Sequence, residues 1–107
     1  MFHAIQDKGF QIDFANGLTI SVMFGSGNYC EHRYGQNCPT GSKDAEIAVF
    51  HTASEHGGYV FADGYTGTGS CGWLSPEIVG KAIGCVAAYQ KEQPLQVLVD
   101  QLNNLDS

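Results

Sequence analysis

The sequence predicts an α+β fold, in which a four-stranded, mostly antiparallel sheet packs against one or two C-terminal helices. Apolar and polar residues alternate with the period of a strand in several segments of residues 10–63. After Trp73 the apolar residues recur instead at helical spacing. Strands followed by helices are typical of an α+β domain. With 107 residues, the chain is predicted to form a single domain over residues 1–107.

The clearest predicted element is a hairpin at residues 10–24. Residues 10–14 and 18–24 both alternate, which places one apolar face of each strand on a core. Asn16-Gly17 lies between the two strands. Asn-Gly favours a type I′ turn, whose twist matches that of the flanking strands.

A second pair of strands is predicted at residues 45–51 and 59–63, where the alternation returns. Residues 25–43 and 64–72 are rich in glycine and lack periodicity, so we expect loops there. Long loops within a small domain are often functional.

A helix is predicted to begin at Ser75-Pro76-Glu77, with Ser as N-cap, Pro at the first helical position and Glu in the first turn. It is expected to end at the polar residues 91–93, before Pro94. The apolar spacing within residues 95–105 predicts a second, short helix.

Three residues near the first helix carry packing predictions. Gly80 and Gly84 lie four positions apart, which predicts a bare flank where the helix approaches the sheet closely. Trp73 is expected to fill the core where sheet and helix meet, with a pocket-lining role as the alternative.

Composition restricts the classes of function. The formal net charge is −6, with eleven acidic and five basic residues. Nucleic-acid binding needs clustered basic residues, so direct binding is disfavoured. The acidic residues are dispersed, which favours a role in solubility over DNA mimicry.

No apolar run reaches the roughly 18 residues of a membrane helix. Without a secretory signal pattern, the protein is predicted to be cytosolic with reduced cysteines.

The predicted site is the corner that follows the hairpin, where two glycines precede a dense set of polar side chains. Tyrosine and arginine are frequent anchors of interfaces, and the single arginine could hold a carboxylate or phosphate. The structural alternative is an ion pair between Arg33 and an acid such as Glu46. The predicted binding residues are Gly25, Gly27, Asn28, Tyr29, His32, Arg33 and Tyr34.

The cysteines of this region allow two other hypotheses, a zinc site and a catalytic cysteine–histidine pair. Cys30, His32 and Cys38, with Cys71 or His51, could bind zinc, but the spacing lacks the close pairs of structural zinc sites. A cysteine with His32 could form a nucleophile and base, but no third orienting group is indicated. No catalytic residue, metal ligand or cofactor is therefore predicted.

The glycines of the corner also allow the hypothesis of a phosphate-binding loop. Phosphate loops lead from a strand into the N-terminus of a helix, whose amides hold the anion. Here Gly25-Ser26-Gly27 leads into a polar loop, so a tight turn or bulge at the strand end is favoured.

Residues 14–30 and 44–50, with the helix start at residues 72–77, resemble a family of small, uncharacterised proteins encoded by bacteriophages. The Asn-Gly hairpin and the Gly-x-Gly-Asn-Tyr-Cys corner carry the resemblance, which spans roughly residues 9–90. It implies a protein of the infected bacterial cytosol that acts by binding.

These observations lead to three functional hypotheses. The first is a non-enzymatic phage accessory protein that binds and antagonises a host protein, such as a CRISPR effector or another defence component. The second is a nucleotide or small-molecule sponge that uses Arg33, with a homodimer enlarging its pocket. The third is a zinc- or thiol-dependent enzyme.

Overall fold

The computed structural model describes residues 1–5, 8–25, 30–31, 41–54, 58–62 and 71–105. Their elements confirm the α+β class, with an antiparallel sheet and two C-terminal helices. In chain order the elements are β1 (Phe2–Ile5), β2 (Gly9–Asp13), β3 (Leu18–Met23), β4 (Glu46–His51), β5 (Tyr59–Phe61), α1 (Pro76–Ala88) and α2 (Leu95–Asn103).

The predicted strand count was wrong, because the described residues already form a five-stranded sheet in the order β1-β2-β3-β4-β5. The additional strand is β1, whose first three residues are exposed and whose last is half-buried. A strand that buries no apolar face leaves no alternating pattern in the sequence, so it could not be recognised from periodicity.

The register of the sheet gathers its apolar side chains on one face. Val22 lies between Phe10 of β2 and Ile47 of β4, and Ile20 similarly pairs with Val49. Direct partners in an antiparallel sheet point to the same side, so these rows form one continuous apolar face. β3 is central to it, with five of its six residues buried.

Both helices contribute to a single core over this face. Helix α1 contacts β3, while α2 contacts β5 and α1. Val79, Ala82 and Val86 are the buried residues of α1, and Leu98 and Leu102 are those of α2. No helix among the described residues is long and apolar enough to cross a membrane.

The β2–β3 turn differs from the predicted type I′ turn. Of its residues, only Gly17 has positive φ, at 85°. Gly17 N donates to Phe14 O at 3.2 Å, and Phe14 N donates to Leu18 O at 2.9 Å. A type I′ turn needs positive φ at both central residues, whereas this three-residue loop ends in a left-handed glycine.

The side chain of Asn16 explains the different turn. Its Nδ2 donates to the carbonyls of Val86 and Tyr89, at 2.7 and 2.8 Å, and its Oδ1 accepts from Leu18 N at 3.1 Å. The two carbonyls belong to the last turn of α1 and to its C-cap residue Tyr89, and Val86 O also accepts from Tyr89 N at 3.3 Å. Asn16 thus joins the hairpin to the helix.

Helix α1 begins as predicted, with Ser75 as N-cap accepting a hydrogen bond from Ile78 N and Pro76 in the first turn. It ends at Ala88, before the predicted residues 91–93. The prediction for Gly80 and Gly84 was wrong. Both are exposed, and a Cβ at either position would have no atom within 4 Å, so this flank faces open space.

Candidate functional site

The predicted corner begins with two buried residues in direct contact. Gly25 is buried, and Cys30 is 1% exposed. The Cys30 thiol donates to Gly25 O, with a sulfur-to-oxygen distance of 3.5 Å. The contact brings the chain back against the end of β3 five residues after it leaves.

Two carboxylates connect the chain after Cys30 to the chain before β4. Glu31 N donates to Asp44 Oδ1 at 2.7 Å, and Lys43 N donates to Glu31 Oε1 at 2.8 Å. Ser42 Oγ also donates to the carbonyl of Asp44, at 2.7 Å. We call the reciprocal pair Glu31 and Asp44 the carboxylate clamp. Because each acid accepts from the opposite segment, the clamp fixes residues 30–31 against the residues that precede β4.

The clamp is joined through the backbone to Trp73. Ala45, which follows Asp44, exchanges two hydrogen bonds of 2.9 Å with Leu74. Ile47 N donates to Cys71 O at 2.8 Å, so residues 71–74 lie along the first half of β4. Trp73 therefore lies beside the start of β4, close in the pairing to the residue that follows the clamp.

The expected core position of Trp73 was wrong, because its side chain is 53% exposed. Its φ is 51°, in the left-handed region. A bulky residue in this region is an outlier, and its conformation costs about 1–2 kcal/mol. The adjoining Ala45–Leu74 bridge holds the backbone in place on one side.

An apolar groove of about 260 Å³ adjoins the clamp. Side chains from β2, β3 and α1 form its walls, and residues 42–44 form one end. Its apolar lining residues include Phe10, Val22, Phe24, Leu74, Val79 and Ile83. Asp44 thus belongs to the clamp and also lines the groove.

Of the predicted binding residues, the structure places Gly25, which is buried at the end of β3. The other six lie outside the described residues: Gly27, Asn28, Tyr29, His32, Arg33 and Tyr34. His32 and Arg33 directly follow the clamp residue Glu31 in the sequence.

His51, one of the alternative ligands in the zinc hypothesis, lies too far from Cys30 to share a metal ion with it. His51 pairs with Leu18, while Cys30 contacts Gly25 beyond the other end of β3. A six-residue strand separates them by on the order of 20 Å. Among the described residues, no three His, Cys, Asp or Glu residues are grouped to hold a metal. His32 and Cys38 lie outside those residues.

A polar cluster lies on the sheet face opposite the helices, which the sequence reading missed. His3 Nε2 lies 2.8 Å from Asp13 Oδ2, and Thr19 Oγ1 donates to Asp13 Oδ1 at 2.8 Å. Thr19 Oγ1 is also 2.7 Å from Thr52 Oγ1. Hydrogen bonds from His3 and then Thr19 hold the pKa of Asp13 below its ordinary value of 3.8. The alternation of β2 put Asp13 on the polar face, but His3 required the unpredicted β1.

No protein-family model matches this chain, and no curated protein or solved structure matches it either.

Proposed function

We propose that the protein is a non-enzymatic binding protein that recognises another protein through the surface around Trp73. The observation that carries the proposal is the strained, half-exposed tryptophan whose neighbour Leu74 pairs with Ala45, the residue after the clamp. Backbone strain and an exposed indole both oppose stability, so their combination favours a role in recognition.

Tryptophan is well suited to anchor such an interface. It brings a large apolar area and an N–H donor, and it is among the residues that contribute most when buried by a partner. A rigid anchor also loses little conformational entropy on binding. The backbone bridge beside Trp73 supplies this rigidity.

The clamp supports the same surface for the predicted binding residues. His32 and Arg33 follow Glu31, whose main-chain N–H and side-chain carboxylate are both engaged across the clamp. Glu31 is thereby fixed relative to the residues that lead into β4. We therefore assign Asp44 a positioning role and Trp73 a contact role.

The proposed partner is a host protein in an infected bacterial cytosol, such as a CRISPR effector or another defence component. The resemblance to phage-encoded proteins supports this choice. The net charge of −6 further favours a partner with a basic surface, because opposite charges accelerate encounter.

The test is capture of partners from bacterial lysate on immobilised wild-type protein, followed by titration of each purified candidate. Trp73→Ala should weaken binding at least about 30-fold, equivalent to a hot spot of about 2 kcal/mol. The matched control is Val97→Ala, because Val97 is also an exposed apolar residue, at 40%, but lies on α2. It should leave binding unchanged.

A second variant separates contact from positioning. Asp44→Ala removes the acceptor of Glu31 N, so it should weaken binding less than Trp73→Ala while leaving the fold intact. Equal binding by wild type, Trp73→Ala and Asp44→Ala would refute the assigned surface. Retention of a nucleotide with no protein partner would favour the sponge hypothesis instead.

A further inference from the structure

A second surface lies at the free edge of the sheet, away from the proposed partner site. Among the described strands, β1 is the first in the order of the sheet, and its pairing partner is β2. Met1 and Phe2 are the two most exposed large apolar residues of the described chain, at 77% and 78%. β1 itself contains neither lysine nor proline, the residues that commonly protect edge strands from pairing.

The hydrogen bonds of β1 show which of its backbone groups face outwards. Met1 and Asp13 exchange two hydrogen bonds, each of 2.8 Å. Because hydrogen-bonded pairs alternate along an antiparallel ladder, Phe2 and Ala4 direct their N–H and C=O groups away from β2. Two donors and two acceptors therefore lie along the edge.

This pattern is self-complementary. We propose that β1 pairs antiparallel with β1 of a second copy about a two-fold axis at His3, joining the two five-stranded sheets into one. In this register, Phe2 of each copy exchanges two hydrogen bonds with Ala4 of the other. The large, exposed Phe2 side chain then covers the small Ala4, and Met1 lies opposite Ile5.

The charges near the edge are compatible with a second copy of an acidic chain. No carboxylate lies within β1, and the nearest acid of β2, Asp13, is already hydrogen-bonded to His3. Lys8 lies at the opposite end of the β1–β2 pair from Asp13, with its N–H on Ile5 O. Antiparallel pairing brings Lys8 of each copy to the Asp13 end of the other, which is a favourable arrangement.

The first test is the mass of the protein in solution, measured by light scattering over a range of concentrations. The wild type should reach twice the chain mass. Ala4→Pro removes only an outward N–H, so it should preserve the pairing of β1 with β2 and weaken self-association at least about tenfold. Phe2→Lys should have the same effect, whereas Val97→Lys on α2 should remain dimeric.

The second test examines the register without relying on these variants. At a non-hydrogen-bonded antiparallel pair the Cα atoms lie about 4.5 Å apart, which a disulfide can span. Under mild oxidation, His3→Cys should yield a covalent dimer linked through the two introduced thiols, and Ala4→Cys should not. A wild type that stays monomeric at every concentration, or equal cross-linking of both variants, would overturn the proposal.

Discussion

The two ends of β3 are held in different ways. At the Leu18 end, the turn is short, and Asn16 directs three hydrogen bonds to β3 and the end of α1. At the Met23 end, the Glu31–Asp44 clamp connects residues 30–31 to residues 42–44, and the strained Trp73 lies beside the first half of β4. The first end joins elements of the core, whereas the second presents side chains to solvent.

We infer that the Leu18 end of β3 contributes to the stability of the fold, whereas the Met23 end contributes to partner recognition. Substitutions at the Leu18 end should reduce the free energy of unfolding and leave the binding surface intact. Substitutions at the Met23 end should reduce binding with little loss of stability, or even a gain where strain is relieved. Single substitutions at each end of β3 test this separation.

The largest expected effect on stability is that of Asn16→Ala. It removes both donors to the α1 carbonyls and the acceptor of Leu18 N, so it should lower the free energy of unfolding by about 2–3 kcal/mol. Denaturant unfolding measures the change. The control is Gln96→Ala, which removes an exposed bond to Asp100 within α2 and should cost only about 0.3 kcal/mol.

A smaller effect on the free energy of unfolding should appear at Trp73. The sign of the difference between two variants at this position tests the backbone strain. Glycine adopts positive φ without the strain that alanine suffers, so Trp73→Gly should be more stable than Trp73→Ala by about 1 kcal/mol. Both variants lack the indole and should bind the partner equally weakly. If the glycine variant were the less stable of the two, the strain assigned to this position would be refuted.

The smallest expected effect is the pH dependence at Asp13. Because its pKa is lowered in the folded protein, its ionised form stabilises the fold above the ordinary value of 3.8. This contribution is lost as the pH falls through the lower, folded-state pKa. Wild type should therefore exceed Asp13→Asn in unfolding free energy at neutral pH, with the difference shrinking in acid.

A matched variant separates this effect from general acid denaturation. Glu92→Gln replaces an exposed carboxylate after α1 and should unfold in parallel with wild type across the same pH range. A constant difference between wild type and Asp13→Asn down to pH values below the ordinary range would contradict the role of the His3 and Thr19 hydrogen bonds.

Local pattern predicted most of the fold. Alternation located β2 to β5, and the Ser75-Pro76 signal located the start of α1. What escaped prediction depends on contacts between distant residues. Asn16 acts on Val86, 70 positions away, and this contact accompanies the altered turn and the early end of the helix.

Only part of the candidate site could be predicted from the sequence. The corner after β3 was identified from its glycines and polar residues, but the clamp joins residues 13 positions apart and has no sequence signature. Trp73 was placed in the core because large aromatic residues are usually buried. Composition reveals neither the exposure of Trp73 nor its positive φ.

The most direct test of the account compares Trp73→Ala with Asn16→Ala in two assays, partner binding and denaturant unfolding, at a temperature where both variants are folded. We predict that Trp73→Ala weakens binding at least about 30-fold while changing the free energy of unfolding by no more than about 1 kcal/mol. Asn16→Ala should bind like wild type but unfold more easily. Parallel loss of binding and stability in both variants would contradict the separation of the two ends of β3.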